Sequence, residues 1–282
     1  ALSSELGTGS IAVISGGGTT RLFAVHGNLT VTDLILERGN TDYGGAFFVG
    51  TSGFNPSVHV QAIRTVVRYC EASVYGGGAY LQQGATLTLG NSTFESNTAG
   101  QYGGGVAAFS ASSVVVSLGA YVDVINNTAE ALHGGGLLLV RQDTHLDVRG
   151  TGTRLTVRGN SAGQNGGGVY AVETSSMLVS LGAFFEIINN SAGAYGGGLY
   201  LEHPNTRLDV TGTDTRLFVQ GNNANLHGGG VALVSNGILR STSSTIFESN
   251  TALNGNGGGL AYDDQGGAQD GGANCVSLAL HI

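Results

Sequence analysis

The feature that most constrains this chain is a Gly-Gly pair that returns at nearly regular intervals along its length. The pairs begin at Gly44, Gly76, Gly103, Gly134, Gly166, Gly196, Gly228 and Gly257. The intervals between them are 32, 27, 31, 32, 30, 32 and 29 residues. A period of about 20 to 50 residues is typical of solenoids, in which each repeat buries its apolar face only against its neighbours. The chain is therefore predicted to fold as a stack of coils.

Between the Gly clusters, apolar and polar residues alternate over runs of four or five. Clear cases are 145–148 (His-Leu-Asp-Val) and 154–157 (Arg-Leu-Thr-Val), which return at 207–210 and 216–219. Short alternating runs bounded by Gly, Thr and Asn predict β-strands, and no window of twelve residues has a helical period. Three such strands in each turn of roughly 30 residues predict an all-β, right-handed parallel β-helix of about nine coils.

Composition excludes several other classes. The chain has 282 residues, of which 50 are Gly and only two are Pro, and Gly does not recur at every third position, so it is not collagen. With 41% hydrophobic and 11% charged residues, it can bury enough apolar surface to fold. A net charge of −8 argues against a nucleic-acid partner or an anionic membrane surface. No run approaches 18 consecutive apolar residues, so no membrane span is predicted.

A longer repeat of about 62 residues overlies the shorter one. The segment 117–136 recurs at 180–198, and both copies open with Ser-Leu-Gly-Ala. The segment 146–160 (LDVRGTGTRLTVRGN) then recurs at 208–222 as LDVTGTDTRLFVQGN. These matches indicate that a two-coil unit was duplicated.

An Asn precedes most of the Gly clusters by six or seven residues. Stacked coils lie about 4.8 Å apart, so a residue that returns once per coil forms a column along the axis. An Asn in such a column can hydrogen-bond the backbone of its own coil and of the next. We therefore predict a structural ladder, in which Cys70 takes the Asn position of its coil. Its members are Asn40, Cys70, Asn97, Asn127, Asn160, Asn190, Asn222 and Asn250.

Two of these Asn residues belong to longer motifs. The segments 94–97 and 247–250 (Phe-Glu-Ser-Asn) fit FxxN, and 44–47 (Gly-Gly-Ala-Phe) and the later Gly-Gly-Gly-Leu/Val runs are similar to GGA[ILV]. Paired repeats of this kind mark the chlamydial polymorphic outer membrane protein family, which the chain resembles from about residue 16 to residue 262. The resemblance implies a right-handed parallel β-helix that is secreted, displayed on a surface and used in adhesion or surface architecture. The chain departs from the family pattern in having Gly where the family usually has Ala.

The residue between the two inward positions after each Gly cluster is expected to point outward. None of these residues is charged, and at coil spacing they would form a flat apolar face about 35 Å long. Contiguous exposed apolar area usually marks an interaction surface, although Tyr and Phe also favour strands in general and a loop could cover them. The candidate partner face consists of Phe48, Tyr80, Ala107, Leu138, Tyr170, Tyr200, Ala232 and Ala261.

The main functional alternative is a pectate-lyase-like carbohydrate-active enzyme, because many parallel β-helices cleave polysaccharides. Such sites need clustered carboxylates, or Ca²⁺ with a basic residue, whereas the acidic segments 40–42 and 263–264 lie about seven coils apart. His-Gly-Gly-Gly at His133 and His227 is similar to an oxyanion-hole segment, but the chain has no G-x-S-x-G. We therefore predict no catalytic residues, no metal site and no cofactor. Three or more acids or Arg converging in one groove would favour the enzyme.

Two weaker alternatives concern calcium and ice. The segment 269–272 (Gln-Asp-Gly-Gly) is similar to a Ca²⁺-binding β-roll repeat, but it occurs once where several copies would be required. Ice binding would call for a regular Thr array on one flat face. The outward positions here mix Tyr, Asp, Arg and Ala instead.

Four Asn residues fit the N-glycosylation acceptor pattern: Asn28, Asn91, Asn126 and Asn189. Asn126 and Asn189 hold equivalent places in the duplicated unit. Of the two cysteines, Cys70 and Cys275, neither is expected to pair with the other, because their coils should stand roughly 30 Å apart and a disulfide needs Cα atoms within about 7 Å. Cys275 could instead pair with another chain.

The sequence predicts one β-helix domain over residues 1–262, and a Gly-rich tail or the start of a following segment over 263–282. The first residues carry no signal peptide and the last ones resemble a chain cut, so we expect a processed product or a segment of a longer protein. An open β-helix exposes strand edges at both ends, which favours a larger assembly. The predicted function is a non-catalytic, extracellular structural or adhesive module, secreted or on the cell surface. Its expected partners are other protein subunits, neighbouring domains or glycans.

Overall fold

The computed structural model describes residues 11–51, 53 and 58–263, together with two short strands, Leu2–Ser3 and Ser277–Leu278. Every regular element in this part of the chain is a β-strand. The strands form four parallel sheets that run the length of the molecule, and each strand pairs with its equivalents in the coils before and after it. The fold is therefore the predicted parallel β-solenoid. We number the sheets I to IV in the order in which the chain meets them after each Gly cluster.

Sheets I and II follow the Gly clusters directly. Sheet I contains Phe23–Val25, Phe47–Val49, Ala79–Leu81, Val106–Phe109, Leu137–Val140, Val169–Val172, Leu199–Glu202, Val231–Val234 and Leu260–Asp263. Sheet II contains Leu2–Ser3, Asn28–Thr32, His59–Ile63, Thr86–Gly90, Ser113–Val116, His145–Arg149, Ser176–Ser180, Arg207–Thr211, Ile238–Ser241 and Ser277–Leu278.

Sheets III and IV complete each coil. Sheet III contains Ala12–Ser15, Leu34–Glu37, Val66–Arg68, Thr93–Glu95, Tyr121–Ile125, Arg154–Arg158, Phe184–Ile188, Arg216–Gln220 and Ser244–Glu248. Sheet IV contains Asn40–Tyr43, Glu71–Tyr75, Thr98–Ala99, Thr128–Ala129, Ser161–Ala162, Ser191–Ala192, Asn223–Ala224 and Thr251–Ala252.

The prediction of about nine coils with three strands each is wrong in both numbers. Each turn has a fourth strand, in sheet IV, and in most coils it is a dipeptide such as Thr98–Ala99 directly after the ladder Asn. Two residues are too few to show an alternating pattern, so this strand is hidden in the sequence. Seven turns lie between the first and the last of the eight strands of sheet IV, just as seven intervals separate the eight Gly clusters. The described residues therefore form about seven complete turns.

The core is a single column of apolar side chains enclosed by the sheets. On sheet III, for example, Val122, Leu155, Phe185 and Leu217 lie in register in four successive coils, and each is at most 2% exposed. Full burial of one such side chain is worth about 1.5 to 3 kcal/mol. Because each coil covers the apolar side chains of the next, this stabilisation depends on neighbouring coils being in place.

The ladder is a continuous hydrogen-bonded column at the corner between sheets III and IV. The Oδ1 atom of Asn160 accepts hydrogen bonds from the backbone N–H and from Nδ2 of Asn127, at 2.8 and 3.0 Å. The Nδ2 atom of Asn160 donates to the backbone oxygen of Val124 at 2.9 Å and to Oδ1 of Asn190 at 3.0 Å. The same arrangement links six residues, Asn97, Asn127, Asn160, Asn190, Asn222 and Asn250.

The first two members of the predicted ladder behave differently. Cys70 does occupy the column: its backbone N–H donates to Oδ1 of Asn97 at 3.0 Å, and its Sγ accepts from the backbone N–H of Gly39 at 3.4 Å. Asn40 does not, because it is in register with Glu71, one residue past the ladder. The ladder position of that coil is Gly39, where a Cβ would overlap the carbonyl oxygen of Gly45. The shorter corner before the first Gly cluster therefore leaves no room for an Asn side chain.

Cys70 is a free, buried thiol, and burial raises its pKa to about 11. Cys275 lies outside the described residues, as do the calcium-like segment 269–272 and most of the predicted tail 263–282. Of that tail, Asp263 ends the last strand of sheet I, and Ser277–Leu278 pairs with Arg240 and Ser241 on sheet II. Within the described ranges there is no helix with the length and apolarity needed to cross a membrane.

Candidate functional site

The predicted partner face forms one column on the outer side of sheet I. Its eight residues are in register from coil to coil. Val106 and Ala108, on either side of Ala107, lie in the main core, whereas Ala107 belongs to a second hydrophobic cluster outside it. The column is nevertheless covered, since Ala107 and Leu138 are fully buried and Tyr200 is 4% exposed. The prediction of a flat, exposed face is therefore wrong.

The column is covered because it forms the floor of a groove with two walls. The first wall is built from the residue before each Gly cluster: Tyr43, Tyr75, Tyr102, His133, Asn165, Tyr195, His227 and Asn256. The second wall is built from the last residues of the sheet I strands: Phe109, Val140, Val172, Glu202 and Val234. We call this feature the groove, and its central column the floor.

The Gly clusters produce the concave shape. The first Gly of each cluster has a backbone φ between 63° and 72°, a left-handed conformation that residues other than Gly rarely adopt. The resulting turn brings each wall side chain towards the floor residue five positions later. The rings of Tyr75 and Tyr80 lie 5.7 Å apart, and those of Tyr195 and Tyr200 lie 6.5 Å apart.

Aromatic rings run along the groove in an unbroken series. Seven of the ten Tyr residues of the chain line it, namely Tyr43, Tyr75, Tyr80, Tyr102, Tyr170, Tyr195 and Tyr200. The closest contact joins His133 and Tyr170, whose ring centroids are 4.5 Å apart and nearly parallel. Tyr170 in turn stacks on Tyr200 at 5.1 Å.

A pocket lies in the middle of the groove, between wall residues of the coils that carry the smaller floor residues. Ala107 and Leu138 lie between Tyr80 and Tyr170 in the floor, and neither carries a ring that would fill the space between the walls. The pocket, which we call the central pocket, has a volume of about 270 Å³. It is lined by Tyr75, Tyr102, Phe109, His133, Val140, Arg141, Tyr170, Val172 and Glu173.

His133 is held in one tautomer within this pocket. Its Nδ1 accepts a hydrogen bond from the backbone N–H of Asn165 at 3.3 Å, so the ring proton lies on Nε2. Burial lowers the pKa of His133 to about 4. The imidazole is therefore neutral at neutral pH and offers an N–H donor.

Burial also keeps three tyrosines of the groove protonated. Burial raises the pKa of Tyr80 to about 12 and also raises the pKa of Tyr170 and of Tyr200, where Glu202 adds to the effect. The hydroxyls of Tyr75, Tyr102 and Tyr170 make no hydrogen bond with any other described residue. These three hydroxyls are thus available to a ligand in the central pocket.

Two charged residues stand at the rim of the central pocket. Arg141 and Glu173 directly follow the wall residues Val140 and Val172, which are paired in register. Nη1 of Arg141 donates to Oγ of Ser110 at 3.3 Å, and among the described residues Arg141 has no carboxylate partner. The pocket therefore combines aromatic rings, hydrogen-bond donors, one guanidinium group and one carboxylate.

The motifs weighed for catalysis are not brought together. Asp42 lies in the first strand of sheet IV and Asp263 in the last strand of sheet I, at opposite ends of the described solenoid. The Gly134 and Gly135 N–H groups after His133 donate to carbonyl oxygens of the next coil at 3.0 and 3.1 Å, so they cannot form an oxyanion hole. Over the described ranges, no cluster of three or more His, Cys, Asp or Glu could hold a metal ion.

The four glycosylation candidates are all exposed. Asn28 begins a strand of sheet II, whereas Asn91, Asn126 and Asn189 lie at corners with φ of 49°, 54° and 53°. The equivalent places of Asn126 and Asn189 in the duplicated unit thus have equivalent geometry. Their glycosylation stays a prediction.

The sequence patterns described above do not predict the walls and the rim, although the sequence carries a signal for the first wall. Tyr or His stands directly before six of the eight Gly clusters, and Asn before the other two. A ring or amide in the same place in every coil indicates a column, as the ladder Asn does. Arg141 and Glu173 have no such signal, since Ser110 and His203 hold the corresponding places in other coils.

Comparison with known proteins gives no family for this chain: no family model, curated protein or solved structure matches it. The likeness of its repeats to the chlamydial polymorphic outer membrane proteins therefore stays a prediction.

Proposed function

We propose that this protein is a non-catalytic β-helix module that binds a glycan in the groove, with one sugar unit seated in the central pocket. The observation that carries the proposal is the composition of that pocket. Tyr102, His133 and Tyr170 place aromatic rings and hydrogen-bond donors side by side, with Arg141 and Glu173 at the rim.

A pyranose ring has the complementary chemistry. Its C–H faces are apolar and pack on aromatic rings, while its edge carries hydroxyl groups that both donate and accept hydrogen bonds. Tyr is suited to such a ligand because one end of its side chain is apolar and the other is polar. Arg141 supplies donors only and Glu173 acceptors only, so together they can satisfy adjacent sugar hydroxyls.

The shape of the groove favours a chain rather than a single sugar. The walls continue along successive coils on both sides of the central pocket. An extended oligosaccharide could therefore contact the groove at more than one coil.

The wider role follows from the rest of the molecule. A stack of coils with one continuous core is rigid, which suits a module that displays a binding site away from its attachment point. We place the module outside the cell, secreted or on the cell surface, in an adhesive or filamentous assembly with other subunits. We also propose that the solenoid is right-handed and that glycans are attached to the exposed Asn residues of the acceptor pattern.

The proposal is tested by glycan-array screening, followed by titration calorimetry with the best oligosaccharide. Tyr102→Ala and His133→Ala should each weaken binding by about tenfold, since each removes a ring face and a donor from the central pocket. Tyr121→Ala is the control, because Tyr121 is 59% exposed on sheet III and should leave binding unchanged. Equal affinities for all four proteins would overturn the proposal.

The same samples test the enzymatic alternative. Arg141 and Glu173 are two charged groups at one pocket, one fewer than the three acids or arginines in one groove that would favour a pectate-lyase-like enzyme. Neutral and uronic-acid polysaccharides are incubated with the protein, and reducing ends and unsaturated products are measured. Product release that is lost in Arg141→Gln would establish the enzyme instead.

A further inference from the structure

The duplicated two-coil unit places two equivalent arginines on the outer face of sheet III. Arg154 of the first copy and Arg216 of the second lie in register with Phe184, which stands in the coil between them. Their guanidinium groups lie over the same Phe184 ring, at 5.7 and 5.3 Å from its centroid. The two arginines therefore share one aromatic platform.

In the first copy, the arginine is neutralised by the next coil. Nη2 of Arg154 is 3.0 Å from Oε1 of Glu186. The hydroxyl of Thr156 donates to the other carboxylate oxygen of Glu186 at 3.2 Å. The carboxylate thus accepts from a guanidinium and from a hydroxyl, and the arrangement is complete within the chain.

In the second copy, the residues equivalent to Glu186 and Thr156 are apolar. Phe218 stands where the first copy has Thr156, and the next coil places Ile246 where the first copy has Glu186. Within the described part of the chain, the guanidinium of Arg216 makes no ion pair and no hydrogen bond. Ile246 is 46% exposed, so the apolar surface beside Arg216 is open.

A cavity of about 270 Å³ occupies this position. Its lining residues are Arg154, Phe184, Phe185, Glu186, Arg216, Leu217, Phe218 and Ile246. Arg216 also lines an adjoining cavity of about 560 Å³, whose other lining residues are Gly212, Thr213, Asp214, Thr215, Thr242, Ser243 and Ser244. Arg216 therefore stands where an apolar cavity meets a hydroxyl-rich one.

We propose that this cavity is a second binding site, for a small monocarboxylate with an apolar body. The ligand carboxylate takes the place on Arg216 that Glu186 takes on Arg154, and the apolar body packs on Phe184, Phe218 and Ile246. Arg is the side chain best suited to the task, because its planar fork binds a carboxylate through two parallel hydrogen bonds. Asp214, beside Arg216 in the adjoining cavity, disfavours ligands with a second negative charge.

The test uses 3-phenylpropionate as the probe and aromatic NMR spectra of the intact protein as the readout. The wild type should show saturable shifts of the Phe184 and Phe218 ring signals, and the uncharged 3-phenylpropanamide should bind about tenfold more weakly. Arg216→Gln should weaken binding of the acid by about tenfold and leave binding of the amide unchanged. Arg158→Gln, an exposed arginine of the same sheet, should leave both unchanged.

Ile246→Glu provides an independent test, because it rebuilds in the second copy the pairing of the first. The new carboxylate should occupy Arg216 and abolish binding of the acid, while the melting temperature shows that the coils remain folded. Three results would each overturn the proposal. They are equal binding of acid and amide, wild-type affinity in Arg216→Gln, and no saturable shift up to the solubility limit of 3-phenylpropionate. The site lies on sheet III, so its failure leaves the groove on sheet I untouched.

Discussion

The Asn ladder and the groove floor are two columns of the same solenoid, and both return once in every coil. The ladder holds the same residue in six successive coils, whereas the floor changes from Tyr80 to Ala107, Leu138 and Tyr170 within four. The difference follows from what each side chain contacts. A ladder Asn completes the backbone hydrogen bonding of neighbouring coils, while among the described residues no floor side chain makes a hydrogen bond to the backbone of another coil.

The contrast shows where this fold permits specialisation. Exchange of a buried amide that bridges coils leaves backbone groups unpaired unless the new side chain also accepts a hydrogen bond, as Cys70 does from Gly39, so the requirements of the fold restrict the ladder. The floor needs only apolar bulk, and a smaller residue there costs packing but opens space. The central pocket lies between the walls of the two coils whose floor residues, Ala107 and Leu138, are small.

The largest effect is expected at the Gly clusters, whose close approach supports both columns. In Gly135→Ala, the new Cβ would overlap the backbone oxygens of Ser161 and Gly167, neither of which can move without shifting a coil. We expect a loss of more than about 4 kcal/mol or failure to fold, measured by urea denaturation. Gly27→Ala is the matched control, since its Cβ would have no neighbour within 4 Å. A stable Gly135→Ala protein would refute the close packing at this corner.

The next largest effect is expected in the ladder. Asn160→Ala leaves the backbone N–H of Asn127, its Nδ2 and the carbonyl of Val124 without their partners in a buried site. We expect a loss of about 3 kcal/mol or more in the free energy of unfolding. Asn40→Ala, one residue outside the column, should change it by less than about 0.5 kcal/mol. Similar losses of unfolding free energy in the two variants would show that an Asn inside the ladder stabilises the protein no more than an Asn outside it.

A smaller effect is expected in the floor. Tyr200→Leu introduces a residue that the same column already holds at Leu138, so the groove should accept it. We expect a loss of about 1 kcal/mol, measured in the same denaturation experiment. A loss as large as that of Asn160→Ala would mean that the floor is as constrained as the ladder.

The effect that is smallest at neutral pH is a pH dependence from the first wall. Burial lowers the pKa of His133 to about 4, so the folded protein binds fewer protons than the unfolded chain between about pH 4 and pH 6.5. Stability should therefore be complete above about pH 6.5 and decline as the pH falls towards 4. His133→Asn, which places there the residue of the equivalent Asn165, should show a shallower decline in melting temperature. Parallel profiles for the two proteins would contradict the assignment.

The sequence predicts the parts of the molecule that follow from repetition. The period of the Gly clusters predicts the solenoid, and the recurring Asn predicts six members of the ladder. The error at Asn40 arose because the first corner is shorter, which moves Gly39 into the column. The two-residue strands of sheet IV escaped notice because a dipeptide such as Thr128–Ala129 carries no periodicity.

The groove is harder to predict because it depends on the angle of a corner. Alternation along 106–108 correctly indicates that Ala107 points away from the main core. It does not indicate that the left-handed Gly103 brings Tyr102 over the outer face of the strand. Burial of Ala107 thus depends on how the turn at Gly103 joins the segment that carries Tyr102 to the strand that carries Ala107, and neither segment indicates this burial by itself. Arg141 and Glu173 are identified as pocket residues only by this geometry, because no repeat in the sequence marks them.

Placing a large ring in the floor tests most directly whether the floor residues control binding in the central pocket. Ala107→Tyr places in the floor the ring that Tyr80 and Tyr170 carry in the same column, and this ring should fill the central pocket. Calorimetry with the glycan selected by the array should show affinity reduced by at least about tenfold, while the melting temperature stays near that of the wild type. Unchanged affinity in a folded Ala107→Tyr protein would contradict the account.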